Sequence, residues 1–142
     1  MQRIIYPRYN KRGCDVVRNI KLIIEYDGTN YCGWQRQNDV MTIQEEIEKA
    51  IEKITGEVTQ ITGSSRTDAG VHAKGYTCNF YTKSIIPIEK FTGAINSKLP
   101  RDIVILKASD VPDEFHSRYN CIGKMYSYTI INRREAIAVG RN

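Results

Sequence analysis

The chain has 142 residues, room for one ordinary domain and too few for two well-packed ones. Hydrophobic residues make up 41% and charged residues 26%, a balance that excludes a disordered polymer. No run approaches the roughly 20 apolar residues of a membrane span, and a formal charge of +5 favours a polyanionic partner without establishing one.

Residues 1–18 carry five Arg or Lys and show no clear period, so they read as a flexible basic extension. They contain no apolar stretch of the kind a secretory signal needs, which makes the cytoplasm the expected compartment. From Asn19 to Asp27 apolar residues alternate, with Ile20, Leu22, Ile24 and Tyr26 on one face, and a strand is predicted. Gly28 to Met41 is loop-like but holds Tyr31 and Trp34. Thr42 and Glu45 have the spacing of a capping box, and Ile43, Ile47, Ala50, Ile51 and Ile54 recur on one helical face until Gly56. Glu57–Thr62 reads as a strand, Gly63–Ala73 as a polar loop and Gly75–Thr82 as a further strand. Pro87 opens a short helix with Phe91, Ala94 and Ile95 inward, which Pro100 stops. Ile103–Ala108 and Lys124–Ile131 are the last predicted strands, the latter with Tyr126, Tyr128 and Ile130 on one face. The order β, α, β, β, α, β implies an α+β sandwich of ferredoxin-like type, a mainly antiparallel sheet with helices on one face. After Asn132 the pattern stops, and the chain reads as cut within an element.

Four cysteines, Cys14, Cys32, Cys78 and Cys121, form no C-x-x-C pair, and His72 and His116 are the only histidines. Free thiols and no metal site are expected.

The loop GSSRTDAGVHA, Gly63 to Ala73, has the character of a functional site. It joins two strands, Gly70 permits a tight return, and Asp68 stands between Thr67 and small residues with Arg66 two positions away. That arginine can hold a carboxylate ionised, contact phosphate or stack on a base. On residue types alone, Asp68 suits an Asx turn at least as well as a catalytic carboxylate, and His72 a structural hydrogen bond. Tyr126 suits sheet packing beside Tyr128.

R-T-D-A-G-V-H-A, Arg66 to Ala73, resembles the signature loop of the TruA family of tRNA pseudouridine synthases. IEYDGTNYCGWQRQ from Ile24, TIQEEIEKAI from Thr42, INSKLPRDI from Ile95 and FHSRYNCIGKMYSYTIIN from Phe115 resemble further stretches of that family in the same order. Ser65 departs from the family's usual Gly or Ala. The resemblance implies the ferredoxin-like, or RRM-like, half of a pseudouridine synthase core. Residues 19–116 would be its N-terminal subdomain, and 117–142 would begin a truncated C-terminal one. It implies a catalytic Asp68, with Arg66, Thr67, His72 and Tyr126 binding the substrate. Trp34, Arg36 and Lys124 are candidate RNA contacts by position, and Trp34 suits packing of its own surface loop equally well. Arg101, Lys107 and Arg118 are further basic candidates for the RNA backbone. The implied reaction isomerises uridine to pseudouridine on the 3′ side of the tRNA anticodon stem-loop, without metal or cofactor, in a full-length protein that forms a homodimer. A plain RNA-binding module of RRM type and an inactive fragment are the alternatives; no strand carries the RRM aromatic signature.

Overall fold

The computed structural model describes residues 16–133, so most of the expected basic extension and the last nine residues lie outside the described part. Six elements follow in order: β1 (Arg18–Tyr26), α1 (Ile43–Thr55), β2 (Thr62–Gly63), β3 (Ala73–Thr82), α2 (Ile88–Asn96) and β4 (Ile103–Val111). The sheet order is β2-β3-β1-β4 and every neighbouring pair is antiparallel. Each helix therefore connects two strands that have another strand between them, which is the split βαβ arrangement of a ferredoxin-like sandwich.

β1 is central, and its alternation has the expected consequence. Ile20, Leu22, Ile24 and Tyr26 are at most 2% exposed and face the helices, with Cys78 and Phe80 of β3 and Ile103 and Ile105 of β4 on the same side. The helices cover them with Ile43, Ile47, Ala50 and Ile51 of α1 and Phe91 and Ile95 of α2. Each large apolar side chain removed from water here contributes about 1.5–3 kcal/mol. The Thr42 hydroxyl accepts the Glu45 N–H at 3.4 Å, as a cap should. The Glu45 carboxylate turns instead to Lys49 at 3.3 Å, so only half of the capping box forms. Gly56 closes α1 at φ 75°, donating its N–H to the Glu52 carbonyl.

Three strand expectations need correction. Of Glu57–Thr62, only Thr62 joins a ladder; Glu57 instead bonds the Thr82 hydroxyl and the Lys83 N–H. β4 runs on to Val111, three residues past the predicted end. Lys124–Ile131 alternates as a strand would, yet it pairs with no strand among the described residues and its side chains are exposed. Alternation prepares a segment for a sheet, but a ladder also needs an available edge in register.

The segment 112–120 hooks over the sheet face opposite the helices. Two buried asparagines of that face hold it. Asn19 donates its amide to the carbonyls of Pro112 and Phe115 at 3.0 and 2.9 Å. Asn79 bonds Asn19 and accepts both the N–H and the hydroxyl of Ser117 at 2.9 and 2.7 Å. The Lys21 ammonium lies 5.6 Å from the centre of the Phe115 ring. Asn79→Ala leaves Ser117 and Asn19 without these partners, and it is expected to cost about 2 kcal/mol. It should also abolish hydrogen-exchange protection of the Ser117 amide, while β1 amides keep theirs.

Candidate functional site

The loop between β2 and β3 is fixed from below and presents its acidic tip to solvent. Beneath it lies an aromatic floor of Tyr26 from β1, Trp34 and Tyr76 from β3; the Trp34 and Tyr76 rings are 4.1 Å apart and those of Tyr26 and Tyr76 are 5.9 Å apart. The Tyr76 hydroxyl donates to the Ser65 carbonyl and accepts the Ser65 N–H. Both contacts are to backbone, so Ser65 keeps them whatever its side chain. The Tyr26 hydroxyl meets the Thr67 hydroxyl at 2.9 Å.

A second loop, between β1 and α1, is sewn along the first. Trp34 donates its N–H to the Thr67 carbonyl and Gly70 donates to the Tyr31 carbonyl, at 3.0 and 3.2 Å. Glycines permit this approach, since a Cβ on Gly28 would fall on the Val71 carbonyl and one on Gly33 on the Thr67 carbonyl. Gly33 also has φ 85°. Gly33→Ala is therefore expected to destabilise by about 2 kcal/mol or more. Gly75→Ala, where a Cβ meets nothing within 4 Å, should shift the urea midpoint little.

The tip itself is a turn in which Val71 donates to the Asp68 carbonyl at 3.2 Å, with Gly70 at φ 78°. Asp68 is exposed, and its carboxylate accepts no hydrogen bond among the described residues. In an Asx turn that carboxylate would be accepting backbone N–H groups. Arg66 is exposed too, with no ion-pair partner among the described residues. Thr67 and His72 hold the loop. The His72 Nδ1 accepts the Gly28 N–H at 3.1 Å and stands 3.0 Å from the Asp27 carboxylate. The hydroxyl and N–H of Thr29 keep the Asp27 carboxyl below its ordinary pKa.

Burial pushes the Tyr26, Tyr31 and Tyr76 phenols above their ordinary pKa, and the Asp102 carboxylate that Tyr31 donates to at 2.6 Å adds to the shift there. The folded state thus favours the neutral phenol. Its contribution is complete below the unfolded tyrosine value, near pH 10, and is lost as pH rises through the folded values. The urea midpoint is expected to fall as pH rises above about 10, and less steeply for Tyr31→Phe.

The other sequence-derived candidates sit elsewhere. Trp34, a candidate RNA contact, is 3% exposed, because its indole fills the floor under the loop. Arg36 pairs with Glu48 of α1 at 3.1 Å. Tyr126 is 65% exposed, in the unpaired segment that also holds Lys124, and makes no hydrogen bond or ring contact among the described residues. Arg66, Thr67, Asp68 and His72 thus lie on one loop, and no hydrogen bond or ring contact links Tyr126 to them among the described residues. Sequence reasoning missed Tyr26, Tyr76, Gly28 and Gly33 as supports of the loop; the closely spaced aromatics and glycines of Tyr26–Trp34 were the available signal.

The split βαβ sandwich thus carries, on one backbone-anchored loop, an exposed carboxylate and an exposed guanidinium that have no hydrogen-bond or ion-pair partner among the described residues. The sequence pattern of the family described as tRNA pseudouridine synthase matches residues 22–120. The chain belongs to that family. It is 59% identical over 126 residues to tRNA pseudouridine synthase A of Clostridium acetobutylicum, covering 89% of this chain and 52% of that protein. It is 57% identical over 126 residues to tRNA pseudouridine synthase A 2 of Clostridium perfringens, with the same coverage of 89% and 52%. The protein of that type from a Thermoanaerobacter species is 50% identical over 126 residues, again covering 89% and 52%. The chain thus spans about half the length of the curated relatives it matches.

Proposed function

We propose that this sequence carries the catalytic carboxylate of a tRNA pseudouridine synthase, and that Asp68 is that group. The observation that carries the reading is the Asp68 side chain, exposed on an anchored loop and committed to no hydrogen bond among the described residues. In the reaction the C1′–N1 bond of a uridine breaks and a C1′–C5 bond forms; a proton leaves C5 and another is taken up at N1. Composition does not change, so the chemistry needs neither redox partner nor cofactor. Asp68 acts beside the sugar, where a carboxylate can stabilise positive charge on the anomeric carbon or bond to it, as in glycoside hydrolysis. A base inside RNA must first leave the stack. Arg66 takes its vacated place and holds phosphate, and Tyr126 stacks on the extruded uracil. Thr67 and His72 serve indirectly by fixing the loop, while Lys124 and Arg36 are available to the RNA backbone. The substrate region is the 3′ side of the tRNA anticodon stem-loop, the compartment is the cytoplasm, and the full-length protein is a homodimer. No helix among the described residues is long and apolar enough to cross a membrane.

The test is to incubate the chain, in excess, with an unmodified tRNA transcript and to map the pseudouridines formed. Pseudouridine confined to the anticodon arm is the expected result. No pseudouridine at any site, with tRNA bound, would overturn activity of this chain and leave the RNA-binding module and the inactive fragment as the readings.

A further inference from the structure

A groove of about 230 Å³ runs from the start of the Asp68 loop to the hook, along β2. The two loops of the site line it with Arg66 and Gln35, the hook lines it with Arg118, His116 and Tyr119, and no carboxylate is among its lining residues. Neither guanidinium has an ion-pair partner among the described residues. The hook is rigidly built. Ser117 is anchored to Asn79, His116 and Asn120 exchange hydrogen bonds at 2.8 and 2.9 Å, and the His116 Nδ1 accepts the N–H groups of Arg118 and Tyr119 at 3.2 and 3.4 Å. The imidazole so fixed stacks under the Tyr119 ring, centres 4.1 Å apart and planes 26° apart. The tyrosine is nonetheless 80% exposed. A side chain backed on one face and open on the other is a platform for a second flat group.

Two guanidiniums without an ion-pair partner among the described residues, an open stacking face and the Gln35 amide, in a lining that holds no carboxylate, match a nucleotide, with phosphate for the arginines and a base for the ring. Arg66 is two residues from Asp68, a separation of at most about 7 Å along the backbone. A strand with one nucleotide at Asp68 therefore has its neighbour over the groove. We propose that the groove is a subsite for the RNA nucleotide flanking the target uridine: Arg66 and Arg118 clasp its phosphates and its base stacks on Tyr119. This rests on the function proposed above and adds Arg118, Tyr119 and His116 to it, as binding residues and support.

The experiment measures fluorescence anisotropy of a labelled, unmodified anticodon stem-loop RNA with the whole chain, over a series of salt concentrations. Arg118→Gln is expected to reduce the slope of log K against log salt by about 1. Tyr119→Ala should weaken binding about fivefold or more at every salt concentration without changing the slope, and Tyr119→Phe should bind as the parent does. Lys53→Gln, at the far end of α1, should leave both affinity and slope alone. Arg118 and Tyr119 are both exposed, so these variants should keep the parent's urea midpoint, and a change in binding is then a change at the groove. Parental affinity in Tyr119→Ala, or a parental slope in Arg118→Gln, overturns the subsite even if the parent binds RNA and Arg66→Gln weakens it, in which case the broader function stands. Failure of the parent chain to bind the RNA overturns both.

Discussion

Replacing Asp68 by Asn is expected to lower the rate of pseudouridine formation by a factor on the order of a thousand or more, while tRNA affinity stays within about twofold. The substitution is nearly isosteric, and Asp68 accepts no hydrogen bond that the fold depends on among the described residues, so folding should be untouched. It removes a full negative charge from the position where positive charge develops on the sugar, and with it the ability to bond to that carbon. Single-turnover conditions, with protein in excess over tRNA tritiated at uridine C5, make even a slow parent rate measurable. Turnover by Asp68→Asn close to that of the parent would place the chemistry on another group.

The second large effect concerns enclosure. The Asp68 tip is open to solvent, and Tyr126 is 65% exposed with no hydrogen bond or ring contact to that loop among the described residues. A carboxylate facing bulk water stabilises developing charge far less than one in a dry site, because the effective dielectric constant is several times higher. The 142-residue chain is therefore expected to release tritium at least about a hundredfold more slowly than a full-length relative such as the Clostridium acetobutylicum protein, of which it spans 52%. RNA binding through Arg66 and its basic neighbours should persist and weaken with salt. Equal rates for the two proteins would mean that the described surface is already a sufficient site.

The elements that were legible in the sequence are those whose burial is one-sided and local. β1 and the two helices follow from apolar spacing, and Gly56 and Pro87 mark a helix end and a helix start as expected. What the spacing could not reveal depends on non-local partners. β3 carries an extra residue opposite Glu25, and β4 carries Leu106 as an extra residue between its pairings with Ile23 and Ile24. These bulges exist only once strands are paired. The hook over the sheet was invisible because its bonds run from asparagine side chains to backbone of distant residues. At the site, Arg66 to Ala73 were drawn together by resemblance to a family, since residue types there fit a common turn equally well. For Trp34 the sequence left RNA contact and packing of its own loop equally open, since an indole in a polar loop can face the solvent or the core; here it is buried against the ring of Tyr76.

The bulge in β4 also bears on which other chains this sheet can accept. A sheet with two free edges invites strands from elsewhere to dock, the first step of uncontrolled assembly. Here one edge, β2, offers only two residues of ladder. The other, β4, has nine residues, but Leu106 breaks its register and the Asn96 amide of α2 occupies both backbone groups of Ile105, at 2.9 and 2.7 Å. Lys107 puts a charge beside the break. An incoming strand would have to displace the Asn96 side chain from Ile105 and follow a broken register beside an exposed lysine. The sandwich is thereby protected against polymerising through its backbone, and its encounters with other molecules are left to the side chains on its surfaces.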